Sequence, residues 1–349
     1  MKKRFVVFTA ALPLALVLIS SASSAEAPQK ESAAEFYAKN TIALQVGYTP
    51  GGGTDYLARI FATAWKKVTG GDMVVQNKPG GGGMEATNFA FNAKPDGLTL
   101  VIHPVANDLL QWLFKNPAIQ YQYNKMQFVG FFLDETQVLA VGAGSPHAKK
   151  SLDEFRKIDG LKLGSGAATG NQAVGSALAI ELLGLKNAKI VFGLHGSAGL
   201  GLTTGKGEVD AAVNIVTAIK SQYPTFFNVA LVNLDTERTP YWPEVPAVTE
   251  VVKLTPEQQD LLKTYLYFRT GKVIWANPGV PADRIEFLRR TFDRIMTVDS
   301  FKQQVKTRWP VVVPPKKGEE IAKEVQALMS TPVDKFTRAI GKHLPAQNK

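Results

Sequence analysis

The chain changes hydrophobic period repeatedly after its first forty residues. Residues 41–49 read TIALQVGYT, an apolar, β-branched run that predicts a strand. Leu57, Ile60, Phe61, Ala64, Trp65 and Val68 then recur at helical spacing, and Gly70-Gly71 predict the stop. MVVQN (73–77) predicts a strand, residues 84–92 a helix and LTLVIH (98–103) another strand. Strand-helix-strand-helix-strand is the pattern of a parallel α/β sheet.

One or two strands are expected within 126–146, then a short helix at SLDEFRKI, with Ser151 as cap and Glu154 at capping-box spacing. Residues 161–185 repeat the earlier design: a strand ending at Gly164, a small-residue loop and a helix from Asn171. Further strands are predicted near 188–192, after Asp210 and at VALVNLD, with a short helix between the first two. The tail holds a helix from Pro256 capped by Thr255, a strand at KVIWA, and helices over 281–296, near 299–308 and over 316–330. Residues 26–40 are expected to be a loose lead-in.

Length and composition sharpen this picture. At 349 residues, two domains are the expectation, and 45% hydrophobic with 20% charged residues is ordinary for a globular chain. The start differs: Lys2, Lys3 and Arg4, an apolar run from Phe5 to Ile19, then small residues to Ala25. That is the pattern of a secretory signal peptide over 1–25, and its apolar run is short for a bilayer-spanning helix. The chain has no cysteine, which excludes a lipid-anchored cysteine, disulfides and thiolate chemistry. Removing a leader with three basic and no acidic residues lowers the formal charge from +10 to +7. The basic residues are scattered without aromatic interleaving, which argues against nucleic-acid binding.

Candidate chemistry gathers in the glycine loops. Pro50-Gly51-Gly52-Gly53-Thr54-Asp55 stands between a predicted strand and a predicted helix. The first amides of a helix have no partner inside it, and the dipole there favours an anion. Glycines clear side chains from that approach. Neither a Walker loop nor dinucleotide spacing is present, and no acid ends the next strand. Gly80 to Gly83 offer a second bare backbone, and the loop from Ser165 to Asn171, with Thr169, offers a third. His195-Gly196-Ser197 end the following strand. Four such loops, two in each half, describe a small ligand held between two lobes.

Catalysis is weakly supported. Ser197, His195 and Asp210 are triad residue types, but His195 and Ser197 are two apart and no nucleophile elbow exists. His103, His147, His195 and His343 show no metal-ligand spacing. Neither a metal nor a cofactor is expected.

The same residues carry a family resemblance. Tyr48-Thr49-Pro50-Gly51-Gly52-Gly53-Thr54-Asp55 with Ala58-Arg59, Asn77-Lys78-Pro79-Gly80-Gly81-Gly82-Gly83, and Pro95-Asp96-Gly97-Leu98-Thr99-Leu100 stand in order at family spacing. Gly164-Ser165-Gly166, Gly207-Glu208-Val209-Asp210, Pro243-Glu244-Val245-Pro246 with Glu250, and the turn from Pro278 to Pro281 extend the match over about residues 40 to 330. The chain resembles the extracytoplasmic solute-binding receptors of tripartite tricarboxylate transporters, the Bug family.

The resemblance implies an α/β, two-lobe periplasmic binding-protein fold, each lobe a mixed, mostly parallel sheet flanked by helices. It implies a first lobe over 40–139, a second over 140–267, and a return to the first lobe with C-terminal helices over 268–349. It implies a periplasmic, monomeric, non-enzymatic receptor that takes a small organic acid and serves an integral-membrane tripartite permease. The implied ligand contacts are Tyr48, Gly52, Gly53, Thr54, Asp55, Gly81, Gly82 and Gly83 in lobe one. In lobe two they are Ser165, Ala168, Thr169, Asn171, His195, Ser197 and Asp210. Here the chain departs from the family pattern: Ala167-Ala168-Thr169-Gly170-Asn171-Gln172 and Leu194-His195 replace the usual residues. The specificity side is therefore its own.

Overall fold

The computed structural model describes residues 1, 31–133, 136–194, 196–268, 271–309 and 315–345. The signal-peptide reading and His195 lie outside the described residues. The strands, in chain order, are β1 (Ile42–Val46), β2 (Met73–Asn77), β3 (Thr99–Pro104), β4 (Gln127–Leu133), β5 (Gln137–Gly142), β6 (Lys162–Gly164), β7 (Lys189–Val191), β8 (Ala211–Ile215), β9 (Phe227–Asn233), β10 (Lys272–Ala276) and β11 (Lys316–Lys317). They form two sheets, ordered β11-β4-β10-β3-β1-β2 and β7-β6-β8-β5-β9.

Each sheet has a parallel half. β1 pairs in parallel with β2 and β3, and β6 pairs in parallel with β7 and β8. The other pairings, β10 with β3 and β4, β11 with β4, and β5 with β8 and β9, are antiparallel. The sheets are mixed as expected but less parallel, because βαβ units need same-sense strands only where a helix crosses over. β10 comes back from the second sheet and enters the first in the opposite sense.

The first helices follow sequence rules. Gly53–Thr69 buries Leu57, Ala58, Ile60, Phe61, Ala64 and Trp65 and ends at Gly70, whose left-handed φ of 77° lets its N–H reach the Lys66 carbonyl. Ser151 caps Leu152–Phe155 in a full capping box with Glu154. Thr255 and Gln258 form the same reciprocal pair at the start of Pro256–Phe268.

One expectation is corrected and one helix is new. The lead-in contains a helix, Ala33–Lys39, because Tyr37 is fully buried, stacks on Phe287 and meets the edge of Trp65. A helix over Val105–Leu113 has no counterpart in the sequence reading. Its Asn107, Asp108 and Gln111 are buried along with its apolar residues, so the polar side that would mark a surface helix does not face water.

That helix packs against Asn171–Leu183, and Pro256–Phe268 packs on both. One hydrophobic core accordingly holds Leu109 and Leu110 beside Ala173, Val174 and Ala177, with residues of both sheets. β5 alternates between cores: Leu139 and Val141 enter this one, Val138 and Ala140 a second.

Candidate functional site

The carboxyl ends of β1, β2 and β3 lie together because the three strands are parallel neighbours. β1 leads into Tyr48–Gly52 and the helix Gly53–Thr69. Gly52 occupies the N-cap and supplies no side-chain cap, so the amides of Gly53, Thr54 and Asp55 open the helix. No acceptor among the described residues takes them.

Asp55 has a different job from the one expected of it. Its carboxylate is 3% exposed and faces back into its own loop. It accepts from Gly51 N–H (2.9 Å), Arg59 Nε (3.0 Å) and Nη2 (2.9 Å), and Asn77 Nδ2 (2.9 Å). Asn77 also donates to the Tyr48 carbonyl at 3.0 Å. Burial by itself raises the Asp55 carboxyl, but the Arg59, Gly51 and Asn77 hydrogen bonds outweigh it and hold the group below its ordinary value. Asp55 thus fixes the glycine loop from behind, and Gly51 is the one loop amide it consumes.

Behind β2, Gly80 to Gly83 all have positive φ. Side chains from β3 and the helix after it hold their carbonyls. The Gly82 carbonyl faces His103 Nε2 (3.1 Å), Asn107 Nδ2 (3.2 Å) and Tyr48 Oη (3.3 Å), and Gln111 Nε2 donates to the Gly81 carbonyl (2.9 Å). His103 Nδ1 lies 3.0 Å from Asp108 Oδ2, with both side chains buried, and Thr87 donates to the other Asp108 oxygen at 3.0 Å. A Cβ on Gly83 would overlap the His103 ring, and one on Gly47 would stand 2.5 Å from Gly83 Cα. Both positions need glycine for close approach. Burial first, then the Asp108 charge, pushes the Tyr48 phenol well up, so it stays a neutral donor.

In the second lobe, β6 ends at Gly164 and the loop to Asn171 turns on itself. Ser165 Oγ donates to the Ala167 carbonyl (3.1 Å), so this hydroxyl is used within the turn. Thr169 is buried and its Oγ1 donates to Gln111 Oε1 of the first lobe (2.5 Å). Asn171 N–H donates to Asn107 Oδ1 (2.7 Å). Ala168 is half-buried in the same loop. After β7, the helix Gly196–Gly205 starts toward the cleft, and a Cβ on Gly196 would lie 3.7 Å from Thr49 Oγ1 across it. Ser197 Oγ accepts from Asn214 Nδ2 at 3.2 Å.

Asp210 does not join this group. It precedes β8, at the opposite end from Ile215, which adjoins the cleft. Five residues at roughly 3.3 Å each put it about 16 Å away. Its carboxylate accepts from Lys162 N–H (2.9 Å) and Ser145 Oγ (3.3 Å). It ties the far ends of β6 and β8 together.

Asn107, Gln111, His103, Asn77 and Asn214 are site residues that sequence reading missed. Asn77 was visible in the second glycine motif. The others sit in buried strand ends or the all-round buried helix, where nothing local distinguishes them from core.

A groove of about 810 Å³ between Val252, Leu254, Leu262, Leu266 and Tyr267 shares no residue with this cleft. Among the described residues no cluster of His, Cys, Asp or Glu is placed to hold a metal, and no helix is long and apolar enough to cross a membrane.

The family described as the tripartite tricarboxylate transporter family receptor matches residues 57–260. This chain belongs to that family. Its members are receptors, and membership places the chain in the periplasm. Among curated relatives, Protein BugT of Bordetella pertussis is 34% identical over 89 residues, 26% of this chain and 27% of that protein. A protein from the tcbD-tcbE intergenic region of Pseudomonas sp. strain P51 is 29% identical over 224 residues, 61% of this chain and 63% of that one. The alignments thus span less than two thirds of these relatives. Solved structures match over more of the chain. The periplasmic binding protein BugD covers 86% of it and 96% of its own length, at a TM-score of 0.66 and 20% identity. MatC from Rhodopseudomonas palustris, with bound malate, gives 0.66 at 19% over 86% and 98%. An R. palustris protein with adipate gives 0.69 at 20% over 86% and 97%. At these identities the likeness establishes the fold: two helix-flanked mixed sheets of the binding-protein kind.

Proposed function

We propose that this receptor captures a small organic carboxylate between its lobes and delivers it to the membrane permease of a tripartite transporter. The carrying observation is the uncapped start of Gly53–Thr69, which opens on the cleft while Asp55 is turned away into its own loop. A helix start contributes about 0.3–1 kcal/mol to holding an anion at an exposed site and up to about 2 kcal/mol when partly buried. The adjoining glycines let the ligand approach bare backbone. A second helix start, at Gly196, faces it from lobe two, with Ser197 and Asn214 supplying polar groups. The malate and adipate bound by the two R. palustris proteins are acids that such an arrangement suits.

In this reading Gly52 to Thr54 grip the carboxylate, Tyr48 and Gly81 to Gly83 shape its pocket, and Thr169, Asn171, His195 and Ser197 select the rest of the molecule. The protein works as a monomer, exported by cleavage after Ala25, with no covalent step. The first lobe spans 40–139 and the returning 268–349, the second 140–267. Closure buries the ligand and changes the surface that the permease meets.

Native mass spectrometry of the freshly purified protein, then a thermal-shift screen of mono-, di- and tricarboxylates and aromatic acids, tests the reading. A binding acid at a hundred times its Kd adds about 2.7 kcal/mol, a shift of several degrees. Saturable stabilisation without product is expected. Turnover of a carboxylate ester, with no acid stabilising the protein, would overturn the proposal.

A further inference from the structure

Asn107 is the side chain on which three parts of the cleft converge. Its Nδ2 donates to Tyr48 Oη (2.5 Å) and to the Gly82 carbonyl (3.2 Å), joining the two first-lobe loops. Its Oδ1 accepts from Asn171 N–H at 2.7 Å, at the start of a second-lobe helix. One turn along, Gln111 repeats the design. Its Nε2 donates to the Gly81 carbonyl (2.9 Å), and its Oε1 accepts from Thr169 Oγ1 (2.5 Å) and Asn116 Nδ2 (2.6 Å). Residues four apart on a helix point the same way, so the two amides form one row. Both are buried, at 8% and 2% exposure. The Asn171 carbonyl is held by Gln137 Nε2 of β5 at 3.3 Å, so this residue is fixed at both its N–H and its carbonyl.

We infer that Asn107 and Gln111 are positioning residues that lock the second-lobe loop to the first-lobe glycine loops and set the spacing of the lobes. In each amide the nitrogen arms the glycine loop and the oxygen reaches across the cleft. The glycine carbonyls are drawn toward this row, and the second-lobe helix start is docked on it. A neutral amide presents donors and an acceptor together at one point. Leu109 and Leu110 of the same helix share a core with Ala173, Val174 and Ala177, so apolar packing supports the same junction. The row therefore holds the closed side of the cleft, while Thr49 and Gly196 meet at its mouth. The inference deepens the receptor reading, yet its test uses no ligand, so a failed acid screen leaves it standing.

The chain has no cysteine, so Thr63→Cys and Leu202→Cys, both exposed and on helices of opposite lobes, give a clean spin-label pair. Double electron–electron resonance on the unliganded, full chain should show one short distance. Asn107→Leu with Gln111→Leu should add a second, longer population. Asn107→Asp and Gln111→Glu keep the cross-cleft acceptors, so they should retain the short distance, and they also serve if the leucine variant does not fold. An unchanged distribution in a folded leucine variant would overturn the inference. So would a lengthened distance in the acidic variants, because the oxygens would then not be the link.

Discussion

The two lobes build their cleft loops by opposite means. First-lobe loops are held from behind by side chains of neighbouring elements: Asp55 at Gly51, Asn77 at Tyr48, and His103, Asn107 and Gln111 at Gly81 and Gly82. Second-lobe loops are held chiefly by one another. Gly193 N–H donates to the Gly166 carbonyl (3.0 Å), Leu194 N–H to the Ser165 carbonyl (3.2 Å), and Gly166 N–H to Gln172 Oε1 (3.0 Å). The first arrangement frees backbone and immobilises it, which suits a group common to many ligands. The second leaves the side chains of Asn171 and Ser197 variable with little effect on the buried network, to which this lobe is tied through Thr169 Oγ1 and the Asn171 N–H.

The contrast is broken hardest at Gly83. Gly83→Ala places a methyl in the His103 ring at a φ of 102° and should cost more than about 3 kcal/mol, or prevent folding, by urea denaturation. Gly199→Ala, whose nearest neighbour to a Cβ is 3.9 Å away, should be close to neutral on the same scale.

Asp55→Ala ranks next. It strips the Gly51 amide, Asn77 and Arg59 of their acceptor, a loss of about 2–3 kcal/mol. Because the Asp55 carboxyl is depressed in the folded state, its stabilisation is present above the unfolded carboxylate range and lost as pH falls through the folded value. Chemical denaturation from pH 6 downward should show an acid-side loss that Asp55→Asn lessens. Half-exposed Arg59 is screened by water, so Arg59→Ala should cost less than Asp55→Ala.

Asp210→Asn sharpens the comparison from the other end of the second sheet. It should lower stability by about 1 kcal/mol through Lys162 N–H and Ser145, and leave the affinity for a bound acid unchanged by calorimetry. An affinity loss would return Asp210 to the cleft. The smallest stability effect is expected for Ser197→Ala, within about 0.5 kcal/mol, with weaker ligand binding as its signature.

Much of this was legible along the chain. Strands β1 to β3, the helices after the glycine loops, the caps at Ser151 and Thr255, and the loops themselves all rest on short-range rules of period, capping and glycine freedom. Those rules act within a few residues, so sequence carries them. The family resemblance was legible for the same reason, since its motifs are local loops. What only the tertiary structure decided is which polar groups face which lobe. Asp55 reads as a ligand contact until its loop folds back on it. Asp210 reads as a site residue until β8 carries it to the wrong end of the sheet. Asn107 and Gln111 read as nothing, because their partners in the cleft loops lie 25 to 64 and 30 to 58 residues away. A hydrogen bond between distant residues depends on sheet order and helix packing, and neither has a local signature.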